Sequence, residues 1–329
     1  MPVRDASSPS VDVLGIGETM IAVVPVIPGR VDADSAFVLR AAGAESNVVS
    51  YISELGHEGA WLGRVGNDFL GSILLDELAR SGVDTSRVER DDSRPTGVFF
   101  KEAAADGSVV HYYRTGSAGS GLDRRMVEEL RSNPPRVVHV SGITPALSES
   151  CRDVIDYLVH DRPLAGTVVS FDVNYRPQLW ASPPYDELLR LARGADVVFV
   201  GLDEAEVLWG THTAREVRSL MPEVGTLVVK DGARDAVSFT AIGEVSVAAP
   251  VVDVVEPVGA GDAFAAGWLS AKLRGFDHEA RLRLGHLVAG AALASVSDHG
   301  PLPSEEHILA TLGVTAEQWL VRPEPRLGA

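Results

Sequence analysis

The segment Val252–Gly267 reads VDVVEPVGAGDAFAAG and holds the most suggestive chemistry in the chain. Gly259, Ala260 and Gly261 directly precede Asp262, and a run of small, helix-compatible residues follows. A helix that starts with so little side-chain bulk leaves its first backbone N–H groups open, which makes an anion site. An aspartate at the rim of such a site opposes the anion unless it has a task of its own. Taking the proton from a hydroxyl that attacks a phosphate held by those N–H groups would be such a task. The same residues also read as a glycine-rich turn with an ordinary first-turn acid, stabilised by about 0.3–1 kcal/mol through the helix dipole. The rest of the chain has to decide between the two.

Composition narrows the classes. The 329-residue chain carries 46 Asp and Glu against 29 Lys and Arg, a formal net charge of −17. That balance argues against nucleic acid or an anionic membrane as the main partner, and an anionic substrate would need local arginines to overcome the overall field. Cys151 is the single cysteine, which excludes an intrachain disulfide and a thiolate-rich zinc site. The nine histidines lack His-Glu-x-x-His spacing, which argues against a tightly held catalytic metal. With 45% hydrophobic residues the chain can bury a sizeable core, yet no apolar run approaches the ~20 residues of a membrane span. The opening MPVRDASSPSVD lacks the apolar centre of a signal peptide, so the expectation is a cytoplasmic protein.

Several elements must bring other groups to Asp262. Val11–Gly17 and Thr19–Pro25 read as strands. Gly15-Ile16-Gly17 opens like a dinucleotide-binding turn, but Met20 takes the place of the third glycine and a β-rich run follows where a helix should. Apolar spacing predicts helices over Ala44–Gly56 and Phe69–Ser81, with a strand at Ala60–Val65 between them. Gly97–Glu102 and Ser108–Arg114 read as a hairpin turning at Asp106-Gly107. Strands at Val137–Val140, Val168–Asp172, Val197–Val200 and Thr226–Lys230 then alternate with helices near Glu149–Val159, Tyr185–Arg193 and Ala214–Leu220. A second hairpin falls at Ala236–Val247, and two long helices, Asp262–Leu273 and His278–Ala294, finish the fold. The alternation predicts a mostly parallel sheet covered on both faces. The early strand pairs break the alternation and predict a separate small β-sheet over the cleft.

Together with AGAESNVVSYISELG and GRVGNDFLGSILLDELARSGVD upstream, the GAGDAF segment resembles the ribokinase-like (PfkB) carbohydrate kinases, with motifs in that family's order from about Val13 to Asp298. The absence of GxxxxGK[ST] agrees, since those kinases bind ATP without such a loop. The resemblance implies an α/β three-layer sandwich with a mostly parallel central sheet and a small β-sheet lid. It places the kinase domain at 11–314, the lid at about 18–40 and 95–118, and loose termini at 1–10 and 320–329. It implies ATP and Mg2+ as cofactors, leaves a monovalent cation open, and implies a homodimer or higher homo-oligomer paired through the lid. Asp262 becomes the catalytic base, and Gly259, Ala260 and Gly261 the anion hole.

Three segments, HYYRTGSAGS, HVSGITPAL and DVNYRPQLW, resemble those of the family's 2-keto-3-deoxygluconate kinases. That likeness implies that Tyr112, Arg114 and Arg176 contact a sugar acid, alongside Gly43, Asn47 and Phe99. Arginine does recognise carboxylates bidentately, which suits such a substrate. On the nucleotide side it implies Asn174, Gly201, Lys230, Gly232 and His286, with Glu204 supporting magnesium through water. Plainer readings stay open: a strand-end charge for Arg114 or Lys230, a helix-entry ion pair for Arg176, a helix start for Gly43 and Asn47, and a helix N-terminal acid for Glu204.

The chain departs from the family pattern at several positions. Gly201 stands where many relatives have the Asn of Asn-x-x-Glu, His286 where an Asn is common, and Asp235 where a glycine is frequent. Phe99 replaces a tyrosine of some ketodeoxygluconate kinases, Met20 the aspartate with which ribokinases bind sugar hydroxyls, and Glu256-Pro257-Val258 the usual Asp-Thr-Thr. The expected reaction is phosphorylation of the terminal hydroxyl of 2-keto-3-deoxygluconate to 2-keto-3-deoxy-6-phosphogluconate. The alternatives are a family kinase of fructose, 2-keto-3-deoxygalactonate or a related sugar, or a catalytically silent sugar-binding regulator.

Overall fold

A computed structural model describes residues 11–27, 31–104, 107–180, 182–255, 257–295 and 299–321. Asp106 of the expected turn, Glu256, the expected loose terminus 1–10, and residues 322–329 of the expected loose terminus 320–329 lie outside these residues. Leu320 closes a short helix, Ala316–Leu320.

The described strands are β1 (Val13–Ile16), β2 (Met20–Pro25), β3 (Phe37–Ala42), β4 (Gly59–Leu62), β5 (Arg64–Gly66), β6 (Glu89–Asp91), β7 (Val98–Ala104) and β8 (Gly107–Tyr113). They continue as β9 (Val137–Ser141), β10 (Val168–Asp172), β11 (Val197–Gly201), β12 (Thr226–Asp231), β13 (Asp235–Thr240) and β14 (Gly243–Ala248). The large sheet has eight strands in the order β14-β13-β12-β11-β10-β9-β1-β4. From β12 to β4 every pairing is parallel, while β13 and β14 add an antiparallel edge.

The parallel strands are β-branched runs such as VVHVS and VVFVG, buried on both faces, as strands covered by helices on each side must be. Alternate residues point opposite ways. Val138, Val140, Phe171, Val198 and Val200 pack with Ile155, Leu188, Leu191 and Leu208 in one layer of core. Val137, Val197, Phe199 and Val228 pack with Val48, Ile52, Phe264, Trp268 and Leu284 in the other. The expected α/β architecture, a mostly parallel sheet between helical layers, is the one observed.

A second, four-stranded sheet has the order β3-β2-β7-β8. Only Gly17, Glu18 and Thr19 separate β1 in the large sheet from β2 in the small one. The chain returns through Gly43, which opens the helix Ala44–Glu54. A Cβ on Gly43 would strike the Glu18 carbonyl and come within 2.9 Å of Thr19 Cα, so the outgoing and returning strands cross there backbone to backbone.

The single strand expected at Ala60–Val65 is two. At Gly63 the Trp61 ring fills the place of a side chain, and the chain leaves the large sheet, so that β5 pairs with β6 in a sheet of its own.

The helix Ala260–Leu273 is buried nearly all round from Ala263 to Ala271, and it lies against the helix His278–Leu293. A Cβ on Gly267 would stand 2.6 Å from the Leu284 carbonyl oxygen and 3.0 Å from Gly285 Cα. The two backbones therefore touch where a side chain would force them apart. Gly267→Ala is expected to destabilise the protein by about 1–3 kcal/mol, the usual cost of overpacking. An unchanged midpoint in chemical denaturation would contradict that packing.

Candidate active site

Parallel strands direct their carboxyl ends to one edge of the large sheet, and ligand sites of open α/β sheets form at that edge. Here β9 ends at Ser141, β10 at Asp172, β11 at Gly201, and β12 at Lys230 and Asp231. Lys230 donates from Nζ to Asp172 Oδ2 at 3.0 Å, and both side chains are largely enclosed. Burial opposes the charge on Lys230, but Asp172 and Glu204 outweigh it and raise the lysine's proton affinity. Glu204 Oε1 accepts from the Tyr175 N–H and Oε2 from the Gly201 N–H, both at 2.8 Å. Burial first, then the Asp172 charge, pushes the Glu204 carboxyl upward.

Asp262 sits in the first turn of the helix Ala260–Leu273. Gly259 before that turn has φ 86° and ψ −12°, a left-handed conformation for which glycine is the natural residue. Asn47, in the first turn of the helix Ala44–Glu54, donates from Nδ2 to Asp262 Oδ2 at 2.8 Å across 215 residues of sequence. Asp262 as a whole residue is half-buried.

Burial raises the Asp262 pKa from 3.8 to about 8; the Asn47 hydrogen bond, Arg176 and Lys230 pull it down, and Asp172 adds to the rise. The helix dipole also favours the anion, but its worth of about 0.3–1 kcal/mol is less than a tenfold change in proton affinity. Burial wins. Lys230 completes the corner, its Nζ lying 3.4 Å from where a Cβ on Gly261 would be.

Other residues singled out from sequence fall around this centre. Arg176 is half-exposed, 3.9 Å from Glu204, and near enough to lower the Asp262 pKa. Asn174 has φ 40°, its N–H bonds Asp172 Oδ1 at 3.2 Å, and its own buried Oδ1 has no partner among the described residues. An amide oxygen accepts, so what it lacks is a donor. Gly232 has φ 50° in the turn after β12, with open space where a side chain would be. At Gly201 a Cβ would collide with the Asp203 carboxylate, so the exposed Asp203 fills the room an asparagine would need.

Two residues have partners that the sequence did not point to. His286 is buried, edge-on to Phe264 at 5.2 Å, with Nε2 3.0 Å from the Val247 carbonyl oxygen. A carbonyl only accepts, so Nε2 carries the proton; burial lowers the ring's pKa and keeps it neutral. Arg114 is not a free surface cation. It forms an ion pair with Glu18, whose side chain is fully buried, and Ser117 donates to that same carboxylate. Above it in the small sheet, Tyr112 is exposed and Phe99 is buried, their rings 5.6 Å apart.

Sequence reasoning missed Asp172, Glu18 and Glu45. Asp172 opens the DVNYR segment, and an acid closing a parallel strand was the available signal. Glu45 is fully buried and accepts from Ser141 and Thr144 at 2.7 and 2.9 Å; burial, the largest influence, raises its pKa. Among the described residues no three His, Cys, Asp or Glu are grouped to hold a metal alone. A Mg2+ ion that arrives with phosphates and keeps several waters does not need such a cage.

A sheet edge that gathers an acid of raised proton affinity, an open helix N-terminus and a lysine is suited to phosphoryl transfer. The sequence matches the pfkB family of carbohydrate kinases over residues 11–305, and the chain belongs to that family. It is 34% identical to the 2-dehydro-3-deoxygluconokinase of Bacillus subtilis (strain 168), covering 92% of this chain and 95% of that one. It is 31% identical to the enzyme of the same name from Thermoproteus tenax, covering 92% and 94%. The PfkB protein of Polaromonas sp. JS666 superposes with a TM-score of 0.80 at 34% identity, covering 92% of this chain and all of that one. A fructokinase from Xylella fastidiosa with bound ATP shares the fold, with a TM-score of 0.77 at 23% identity over 92% of this chain and 98% of that one.

The Asn47 contact gives a pH prediction. If Asp262 works as its anion, kcat/KM falls as the pH drops through about 8. Asn47 bonds the charged form, so Asn47→Ala should move that acidic limb to higher pH. A limb unmoved in the variant would mean that the group titrating in the profile is not Asp262.

Proposed function

We propose that this carbohydrate kinase transfers the γ-phosphoryl group of ATP to the terminal primary hydroxyl of 2-keto-3-deoxygluconate, giving ADP and 2-keto-3-deoxy-6-phosphogluconate. The reaction type rests on one observation above the others: Asp262, held by Asn47, stands in the first turn of a helix opened by Gly259. The choice of sugar is supported by the names of the two relatives and by Arg114 and Arg176 as the cations on the substrate side.

In this reading the sugar acid enters beneath the small sheet, which acts as a lid, with its carboxylate toward Arg114 and Arg176. Tyr112 and Phe99 border the sugar, and Gly43 and Asn47 form the floor of its site. Asp262 takes the hydroxyl proton as the oxygen attacks phosphorus, and the bond to the ADP oxygen breaks. The N–H groups of the Gly259–Gly261 turn receive the developing negative charge. Lys230, fixed by Asp172, sets a positive charge beside that turn. Asn174, Gly232 and His286 would hold the nucleotide, and Glu204 would support a Mg2+ ion through water. Mg2+ supplies charge neutralisation on the phosphates.

Catalysis on these terms is mostly positioning and charge stabilisation. Pairing of two copies through the small sheet belongs to the same proposal, and it is supported by the exposed Val109 and Tyr113.

Asp262→Asn keeps the shape and the Asn47 contact but removes the base. It should lower kcat by about 10²–10⁴-fold while ATP binding persists. A coupled assay of ADP release across 2-keto-3-deoxygluconate, its galactonate epimer and fructose tests the substrate. Higher kcat/KM on fructose would contradict the choice of a sugar acid.

A further inference from the structure

Glu18 lies in the three-residue joint between the two sheets, and its side chain is wholly buried. A carboxylate in such a place needs a partner, and the partner is Arg114, just past the end of β8 and itself 10% exposed. The surroundings are shaped around the acid. Ser117 donates to Oε1; a Cβ on Gly119 would strike the Glu18 side chain, and one on Gly97 would stand 3.0 Å from Oε1.

The guanidinium is equally constrained. Nη2 faces Glu18, and the Tyr112 ring centroid lies 5.7 Å from Cζ. Glu45 is near enough to interact with its charge. Nε is buried and has no hydrogen-bond partner among the described residues. A buried guanidinium N–H without an acceptor is costly, and a carboxylate oxygen is an acceptor that would satisfy it.

We propose that Glu18 is a positioning residue for the substrate carboxylate: it grips Nη2 of Arg114 and thereby holds the guanidinium, with its unpartnered Nε, for a sugar acid. The inference rests on the reading of the substrate as a sugar acid. Glu18 touches no reacting atom, and its influence passes entirely through Arg114. It therefore governs how well the acid binds, while the chemical step at Asp262 and the nucleotide site are left alone.

The test is steady-state kinetics of the full-length protein with 2-keto-3-deoxygluconate and ATP. Glu18→Gln keeps the shape and removes the charge. It should raise KM for the sugar acid by about 10- to 100-fold, the loss expected for a charge-assisted hydrogen bond, with little change in kcat or in KM for ATP. Glu18→Asp restores the charge and should recover part of the loss. If Glu18→Gln does not fold, Ser117→Ala loosens the same carboxylate without stranding Arg114, and should still raise KM for the acid by about threefold or more.

An unchanged KM for the acid in folded Glu18→Gln or in Ser117→Ala overturns the role of Glu18. So does a fall in kcat with KM intact, or no recovery in Glu18→Asp. A wild-type protein that phosphorylates fructose and no sugar acid overturns the substrate reading, and this inference with it.

Discussion

The structure depends on keeping one carboxyl partly out of water without letting it find a permanent cation. Asp262 is close enough to Lys230 and Arg176 to feel both, but its hydrogen bond is to the neutral amide of Asn47. Lys230 is committed to Asp172, and Arg176 donates to the Tyr175 carbonyl. A carboxyl with a lysine of its own would be a stable anion and a poor proton acceptor. One enclosed near an amide, with cations at a distance, keeps a proton affinity near working pH, where general bases are most effective. The all-round burial of the helix Ala260–Leu273 and the backbone contact at Gly267 and Gly285 hold that carboxyl in place.

The same economy of cations runs through an acidic chain. A net charge of −17 would repel an anionic substrate if it were spread evenly. At the edge where the strands end, three enclosed acids are matched instead: Asp172 with Lys230, Glu18 with Arg114, and Glu45 with two hydroxyls. Pairing costs the cations some of their pull on a ligand. It fixes their direction in return, and direction is what separates one sugar from another.

The strand–helix alternation and the GAGD turn were legible in the sequence because each rests on local rules. Runs such as VVFVG between turn signals read as buried strands, and small residues before an acid read as a helix start. The split of Ala60–Val65 was not legible, since it depends on the Trp61 ring folding over Gly63. The strand Phe37–Ala42 and the helix Leu202–Trp209 also went unnamed, because the first is half-exposed and the second follows a strand without a turn signal. In the site, Asp262 and Asn47 stood out through their neighbours. Glu18 did not, because its partner Arg114 is nearly a hundred residues away and Gly17-Glu18 looks like the remnant of a failed glycine motif. Arg114 was read as a contact for a sugar acid or as a plain strand-end charge. The fold shows that it already has a partner.

The central claim is that Asp262 is an acid of unusually high proton affinity before any ligand binds. Carbon-13 NMR of protein labelled at the aspartate carboxyl carbons measures this directly, with Asp262→Asn identifying the resonance. A carboxyl titrating near pH 8, absent from the variant, is the expected result. If the resonance lost in the variant titrates near 4, the ordinary range for aspartate, Asp262 is a plain helix N-terminal acid and the proposed base is wrong.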